Sequence, residues 1–466
     1  MQGHVSGSFI ERHTRGFDAL RNAVDRCTLA WAERHSGIPQ ETLRELARNI
    51  GAAESFAVHG RTGTSTQRYG TLATLLLHLL PIVTGHFDRP GGMSFGWAPA
   101  DPTLGLQDRG CGQHPSRVNK MPDAAGLLPS LALIDDIEVA GPGQVRALMM
   151  VGANPLLSST GSGPRYEAAL QKLELFFALD LYVNETNRFA HYVLPVTGMY
   201  EREDVPLISI NNMLRPSLFA TAPVIEPVGE SREEWEVFYD IGRRMGYGDA
   251  FTTTPRDIID QVIRNSSVGD RFGENPAGAT LQKLIDQYPN GYPVAAELPT
   301  GVMQAMLATP DKRINLAPDQ LLSELTHLHE DASADDPRYP LRLVGLREPL
   351  SHNTWMHNAP SLMTTSREHY ARVNPSDAAA RGIADGAPVR IHSLHGAIEI
   401  KAHLSAEMAP GNVAVPHGWG HGGGWQRANA VGGANSNRLA SDDPADCERI
   451  AGMSVLNGIP IEVTAV

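Results

Sequence analysis

The chain of 466 residues contains only three cysteines, Cys27, Cys111 and Cys447, and no Cys-x-x-Cys pair. Three distant thiols cannot by themselves hold an iron–sulfur cluster or a cysteine-type zinc site. They do not resemble a disulfide framework either, so a reducing compartment and three unrelated buried thiols are expected. Positive charge is also short: 39 Lys and Arg stand against 52 Asp and Glu, a formal net charge of -13. Nucleic-acid domains usually carry a basic surplus on the contacting face, so no nucleic-acid partner is expected, and any anionic ligand must be met by local Arg side chains and backbone N–H groups. The longest apolar stretch, Leu72 to Val83, includes His78 and Pro81 and is too short to span a bilayer. The opening Met1-Gln-Gly-His-Val-Ser-Gly lacks the basic start and apolar run of a secretory signal, so a cytoplasmic protein with no membrane segment is expected. There is no G-x-S-x-G elbow, no Cys paired with a named His, and no Walker A loop.

What is present is a globular composition, 42% hydrophobic and 20% charged, and a length that exceeds one hydrophobic core, so two to four domains are expected. Aromatic residues are few, at 6%, whereas 45 Gly and 33 Pro point to many tight turns. Pro39 to Ile50 places Leu43, Leu46, Ala47 and Ile50 at helical spacing. Ser55 to His59 reads as a short strand leading to a glycine turn, Gly60-Arg-Thr-Gly63, and a buried helix over Tyr69 to Thr84. Val145 to Val151 is a continuous apolar run of the kind found in a parallel strand covered on both faces. A helix over Tyr166 to Leu173 and a strand over Leu175 to Leu179 complete a βαβ unit, with a further short strand over Tyr192 to Pro195. Ser231-Arg-Glu-Glu234 has capping-box spacing before a helix that puts Trp235, Phe238, Ile241 and Met245 on one face. Asn265 to Tyr292 and the acidic run Glu330 to Asp336 read as connections. Beyond them the pattern turns to strands: a short helix capped by Asn374 and stopping at Gly382, a hairpin around His395-Gly396, and strands at Asn412 to Val415 and Ile459 to Val463.

Three constellations can carry chemistry. The loop Gly152-Ala-Asn-Pro155 follows a buried strand; its backbone N–H groups can cradle a phosphate and Asn154 offers both donor and acceptor, although an ordinary βα loop has the same look. It is joined by Asp180 at the end of the next strand and by Asn184-Glu-Thr-Asn187. The second group is His352, Asn353, Thr354, Trp355 and His357 after Gly345-Leu-Arg347, which supplies hydrogen-bond donors, a stacking face and a charge for pyrophosphate. The third is His417-Gly-Trp-Gly-His421. Two His four apart share a helix face as zinc ligands, but Gly418 and Gly420 disfavour a helix, leaving a glycine loop closely approached by a ligand or by backbone. His13, His35, His59, His78 and His191 read as scattered surface or core residues.

The succession Leu343 to His357, Asn374 to Gly386 and Pro416 to Trp425 resembles the C-terminal cofactor-binding domain of the molybdopterin oxidoreductases, the dimethyl-sulfoxide-reductase superfamily. The Gly-x-Asn-Pro loop and Glu-Thr turn resemble the family's second α/β domain. The resemblance implies an α/β fold: Rossmann-like parallel-sheet domains followed by a C-terminal double-psi β-barrel. It divides the chain into the tail of an α/β domain (1–97), an α/β cofactor-binding domain (98–250), a connecting region (251–336) and the barrel (337–466). It also implies a cofactor, bis-molybdopterin guanine dinucleotide with Mo or W. The residues implied to hold it are Gly152, Asn154, Pro155, Asp180, Glu185, Thr186, Arg347, His352, Asn353, Thr354, Trp355, His357, His417, Trp419, Asn435 and Asn437. Relatives have Gly and Arg adjacent where Leu346 here stands between Gly345 and Arg347. No catalytic residue and no metal ligand is assigned, because in the family the metal ligand and the iron–sulfur cysteines belong to an N-terminal portion, and the chain reads as the C-terminal two-thirds, redox-silent by itself. The implied partners are a small-molecule redox substrate and an electron-transfer partner or the N-terminal portion. The rival reading is a non-catalytic cofactor-binding or interaction subunit, from a split enzyme or a remnant; a third is a hydrolase built on the His pairs.

Overall fold

A computed structural model describes residues 4–99, 112–160, 163–207, 209–331, 336–364, 367–424 and 426–466; Cys111 and Trp425 lie outside them. The chain divides into two compact units, one of Met1–Val58, His78–Asp108 and Pro195–Ala317, the other of His59–Leu77, Arg109–Leu194 and Pro318–Val466.

The first unit is mainly helical, with a core of Ile210, Leu218, Ala220, Ile263, Ala279, Leu281 and Leu284. The helix read from Pro39 onward forms over Gln40–Ala52, but Leu46 on its apolar stripe is 55% exposed. Ser55 to His59 forms no strand: the segment takes no regular structure and leads to a helical turn at Thr62–Ser65. The helix Glu234–Arg244 has its capping box at Glu233 and Glu236, two residues later than the Ser231 spacing suggested. The Ser231 hydroxyl donates to the Val228 carbonyl, and Glu233 rather than Ser231 is the residue whose side chain meets the first-turn N–H. The expected connection from Asn265 to Tyr292 contains a helix, Leu281–Gln287, capped by Thr280. Only Leu281 and Leu284 anchor it in the core, too few positions to make a period visible.

The second unit contains a three-stranded sheet and a barrel. The sheet has the order β1 (Ala147–Val151), β2 (Leu175–Asp180) and β3 (Tyr192–Pro195), with β1 and β2 parallel and Met149 opposite Phe177. The helix Pro164–Leu170 makes the crossover and buries Tyr166, Ala169 and Leu170 against Phe176 and Met150. The expectation that β1 is covered on both faces does not hold, since Met149 and Val151 are 45% and 40% exposed. One face of β1 packs Leu148 and Met150 on the core, and the other, with Met149 and Val151, is left largely uncovered.

The barrel closes in the order β6-β7-β5-β8-β4-β9, from β4 (Leu341–Leu346), β5 (Tyr370–Val373), β6 (Pro388–His392), β7 (Ala397–Leu404), β8 (Asn412–Pro416) and β9 (Ile459–Ala465). Two pairs, β7 with β5 and β8 with β4, are parallel, and the other four are antiparallel. Period-two alternation sends Val389, Ile391, Ile398, Ile400, Ile459, Ile461 and Val463 inward to one shared core. Asn374 caps the short helix Pro375–Ala379, its side chain accepting from the Ser376 N–H, as the sequence indicated. No helix among the described residues is long and apolar enough to cross a membrane.

Candidate functional site

The parallel pair β8 and β4 delivers two chain segments to the same end of the barrel. Arg347 leaves β4 and His417 leaves β8, and beside them opens a cavity of about 400 Å³. The βα loop after β1 supplies Gly152, Ala153, Asn154 and Ser158 to its wall, and the barrel supplies Arg347, Asn353, Thr354, Trp355, His417 and Asn437. Thus the loop after β1 and the loop after β4, read separately from the sequence, meet at one site. Gly152 stands where they meet, at φ +53° in the left-handed region that favours glycine, and a Cβ there would touch the Trp355 ring at an ordinary contact distance of 3.4 Å. Leu346 ends β4, so the residue standing between Gly345 and Arg347 leaves Arg347 on the cavity wall.

The loop Pro349–His357 is held in an uncommon conformation, with His352 at φ +41° and Asn353 at φ +61° in the left-handed region. Beneath it lies a buried polar cluster absent from the sequence reading. Glu348 Oε2 accepts from Arg367 Nη2 at 3.0 Å and from Trp419 Nε1 at 2.8 Å. Ser351 Oγ accepts from the same Arg367 and lies 2.9 Å from His357 Nε2. Trp419 is 1% exposed and stacks on His369 at 5.0 Å between centroids. His369 accepts the Ala434 N–H at Nδ1 and donates from Nε2 to the Pro416 carbonyl. Burial pushes both imidazoles down, His357 to about 3 and His369 to about 4, with His421 and Arg367 adding to the lowering at His357. Trp419 and His357, expected to face a ligand, therefore point into protein and hold the loops; neither lines the cavity.

The glycines after His417 answer to backbone crowding. A Cβ on Gly418 would sit 2.0 Å from the Asn353 carbonyl oxygen, and one on Gly420 would sit 2.4 Å from the Asn435 nitrogen. His417 and His421 do not converge as zinc ligands. His417 turns to Leu346 and Asn353, whereas His421 turns to Glu185.

Glu185 is the centre of a second buried network. Its carboxylate accepts from Asn154 Nδ2 at 2.6 Å, His421 Nδ1 at 3.2 Å, and the N–H groups of Gly422 and Gly423 at 2.9 and 3.1 Å. Burial alone would raise its pKa, but His421, Asn154 and the backbone donors outweigh burial and bring it down to about 2. Thr186 Oγ1 donates to Asn154 Oδ1 and accepts from the Leu156 N–H. The Asn154 amide, read as offering both a donor and an acceptor, thus gives its oxygen and one N–H to protein. Asp180 binds the Leu181 N–H and the amides of Asn184 and Asn187; burial raises its pKa against these bonds. Asn435 and Asn437 donate to the carbonyls of Leu156 and Leu157, joining the barrel's loop to the segment that begins at Pro155.

Of the sixteen residues singled out, Gly152, Asn154, Arg347, Asn353, Thr354, Trp355, His417 and Asn437 line the cavity. Pro155, Asp180, Glu185, Thr186, His352, His357, Trp419 and Asn435 do not. The sequence reading missed Thr62, Gly63 and Thr66, although the glycine turn that carries them was legible, and it missed Asn457. Asn457 accepts from the Gly345 N–H and donates to Thr66 Oγ1 at 2.7 Å, fixing the turn at the cavity edge.

Residues 29–244 match the family model for molybdopterin oxidoreductase, and residues 341–455 match the model for the molydopterin dinucleotide binding domain. The chain is 25% identical to the probable oxidoreductase YjgC of Bacillus subtilis (strain 168), over 97% of this chain and 45% of that protein. It is 27% identical to the dimethyl sulfoxide/trimethylamine N-oxide reductase of Rhodobacter capsulatus, over 90% of this chain and 55% of that one. The chain thus spans about half the length of these curated relatives. Acetylene hydratase from Pelobacter acetylenicus shares the fold, with a TM-score of 0.76 at 18% identity, covering 99% of this chain and 68% of that chain. From the paired matches, one over the α/β part and one over the barrel, the chain belongs to the molybdopterin oxidoreductase family.

Proposed function

We propose that the cavity binds one pyrophosphate-bearing arm of a bis-molybdopterin guanine dinucleotide, and that the chain acts within a molybdenum- or tungsten-dependent oxidoreductase. The observation that carries this reading is the charge of the wall. In a chain of formal net charge -13, the cavity lining among the described residues has no acidic side chain, and its ionisable groups are Arg347 and His417. That composition suits an anion held by charge-assisted hydrogen bonds. A volume of about 400 Å³ lies within the usual span of small-molecule sites, about 300–1,000 Å³. Trp355 offers a flat face for a heterocycle, and Thr354, Ser436 and Asn437 offer polar groups around it.

When bound, the cofactor supplies the two-electron redox chemistry of its metal. The chain's own residues bind and orient it: Arg347 meets the pyrophosphate charge, Trp355 covers a ring, and the Glu185 network holds the Asn154 loop in register with the glycine loop. The substrate is a small redox-active molecule, and electrons pass to a separate partner or to a further portion of the protein.

The test is occupancy. The protein is purified from a host replete in molybdate, and released guanine nucleotide and metal are measured for Arg347→Ala and for Arg390→Ala, which alters an exposed barrel arginine. Loss of a charge-assisted bond costs about 1.5–3 kcal/mol, so occupancy should fall about tenfold or more in the first variant and stay unchanged in the second. Equal occupancy in both would remove Arg347 from the site.

A further inference from the structure

The hydrogen bonds around His417 do not close with a neutral ring. His417 Nδ1 lies 3.1 Å from the Leu346 carbonyl oxygen, which has no proton to give, so Nδ1 carries the hydrogen. Nε2 lies 3.1 Å from Asn353 Oδ1, and that oxygen already accepts from Arg347 Nη2 at 2.6 Å. A neutral imidazole protonated at Nδ1 presents a lone pair at Nε2, opposed to an acceptor oxygen. Turning the Asn353 amide over would relieve that contact but set its NH2 against the Arg347 guanidinium. All three contacts are attractive together only when His417 carries both protons.

The surroundings work against this second proton. Burial is the largest influence and lowers the His417 pKa; the Leu346 carbonyl opposes it, Arg347 lowers it further and Glu348 raises it. Glu348 is itself engaged by Arg367 and by Trp419 Nε1. Among the described residues, the other segments on the cavity wall, at 62–66, 152–158, 353–355, 436–440 and 456–459, bring no acidic or further basic side chain to it. Two cationic groups therefore share one neutral acceptor, with no anion among the described residues facing them across the cavity.

We propose that Arg347 and His417 form a proton-coupled anion seat: a diphosphate-bearing ligand binds against the guanidinium and the imidazole, and His417 takes up one proton from solvent at Nε2 as it does so. The inference rests on the reading of the cavity as a dinucleotide site and deepens it. The ligand's negative charge supplies what the protein wall lacks, so it favours imidazolium in the complex, and the proton returns to solvent on dissociation. The linkage has a definite sign. Binding draws a proton where free His417 is neutral, and affinity falls as pH rises until His417 is neutral in the complex as well, by about tenfold per pH unit for one coupled proton. The seat also discriminates by charge, because an uncharged nucleoside gains nothing from the second proton.

The experiment is calorimetric titration of the 466-residue chain with GDP, inorganic pyrophosphate and guanosine, each in two non-phosphate buffers of different ionisation enthalpy. GDP and pyrophosphate should each bind with close to one proton taken up beyond that owed to the ligand's own ionisation, and guanosine with none. If GDP alone shows the coupling, the source is a nucleotide arm; if pyrophosphate matches it, free diphosphate suffices. In His417→Gln the uptake should vanish and the pH dependence flatten to that of the ligand. Should that variant not fold, the wild-type imidazole resonances report the same event, moving to imidazolium positions when GDP is added. GDP binding without proton uptake, or the same uptake in His417→Gln, overturns the coupled seat and leaves the cavity reading intact. Failure of GDP and pyrophosphate alike to bind overturns the cavity reading and the seat with it.

Discussion

Glu185 is the most consequential buried charge near the site, and its removal gives a quantitative test. Its side chain is 11% exposed and accepts four hydrogen bonds, two of them from the N–H groups of Gly422 and Gly423. An ordinary glutamate titrates near 4.5, whereas here burial is outweighed by His421, Asn154 and the glycine N–H groups, and the pKa drops to about 2. At about 1.4 kcal/mol per pH unit this difference corresponds to about 3 kcal/mol of folding stability. Because the folded pKa is depressed, the contribution is complete above the unfolded value, declines from about pH 5 downward, and is gone once pH falls through about 2. Glu185→Gln keeps the shape but lacks the charge and sets an NH2 among donors, so it should lose most of this amount at pH 7. Urea unfolding of the second unit's signal, compared between wild type, Glu185→Gln and the exposed barrel variant Glu399→Gln, reads the effect from pH 7 to pH 3. The gap to Glu185→Gln should narrow as the solution is acidified, while Glu399→Gln tracks wild type. A gap below about 0.5 kcal/mol at pH 7, or one that stays constant with pH, would show that the carboxylate is not the anchor described.

Two further outcomes follow from the loops around the cavity. Gly418→Ala places a methyl group 2.0 Å from the Asn353 carbonyl oxygen at φ +88°, whereas Gly422→Ala enters open space; the first should cost well over about 1 kcal/mol more than the second in thermal or urea melts. Trp419→Phe removes the donor to Glu348 Oε2 and should cost about 1–3 kcal/mol for the group left short of a partner. Because Trp419 lies behind the cavity wall, that variant should bind GDP with an affinity within a few-fold of wild type; a loss as large as that of Arg347→Ala would return Trp419 to the ligand-facing set.

Where side-chain period and turn chemistry acted alone, the sequence was legible. The hairpin strands β6 and β7 alternate, Asn374 and Pro375 open a short helix, and His395-Gly396 turns a hairpin, each a relation among neighbours in the chain. The Gly152 loop and the loop of Asn353 to Trp355 were also found from the chain, as separate groups. Other features were set by partners far away in sequence. The Ser231 capping spacing yielded to Glu233, where the helix Glu234–Arg244 begins once the chain folds. Met149 and Val151 look like two-sided core, and only the packing shows that their face of β1 is left uncovered while Leu148 and Met150 meet the core.

The roles of the polar residues divided in the same way. The resemblance and residue type together marked Glu185, Trp419 and His357 as cofactor-facing, and the sequence had no means of showing that the Glu185 carboxylate, Trp419 Nε1 and His357 Nε2 are engaged by His421, Glu348 and Ser351. Donor and acceptor inventories belong to single residues, whereas their satisfaction belongs to pairs brought together across more than 200 positions, as Glu185 and His421 are. The amino-acid order by itself determined the α/β-and-barrel pattern, the two ligand-capable loops and the arginine beside them. Only the tertiary structure decided which of those side chains face open space and which are used up in holding the loops, because burial and hydrogen-bond competition are settled by contacts the linear chain does not contain.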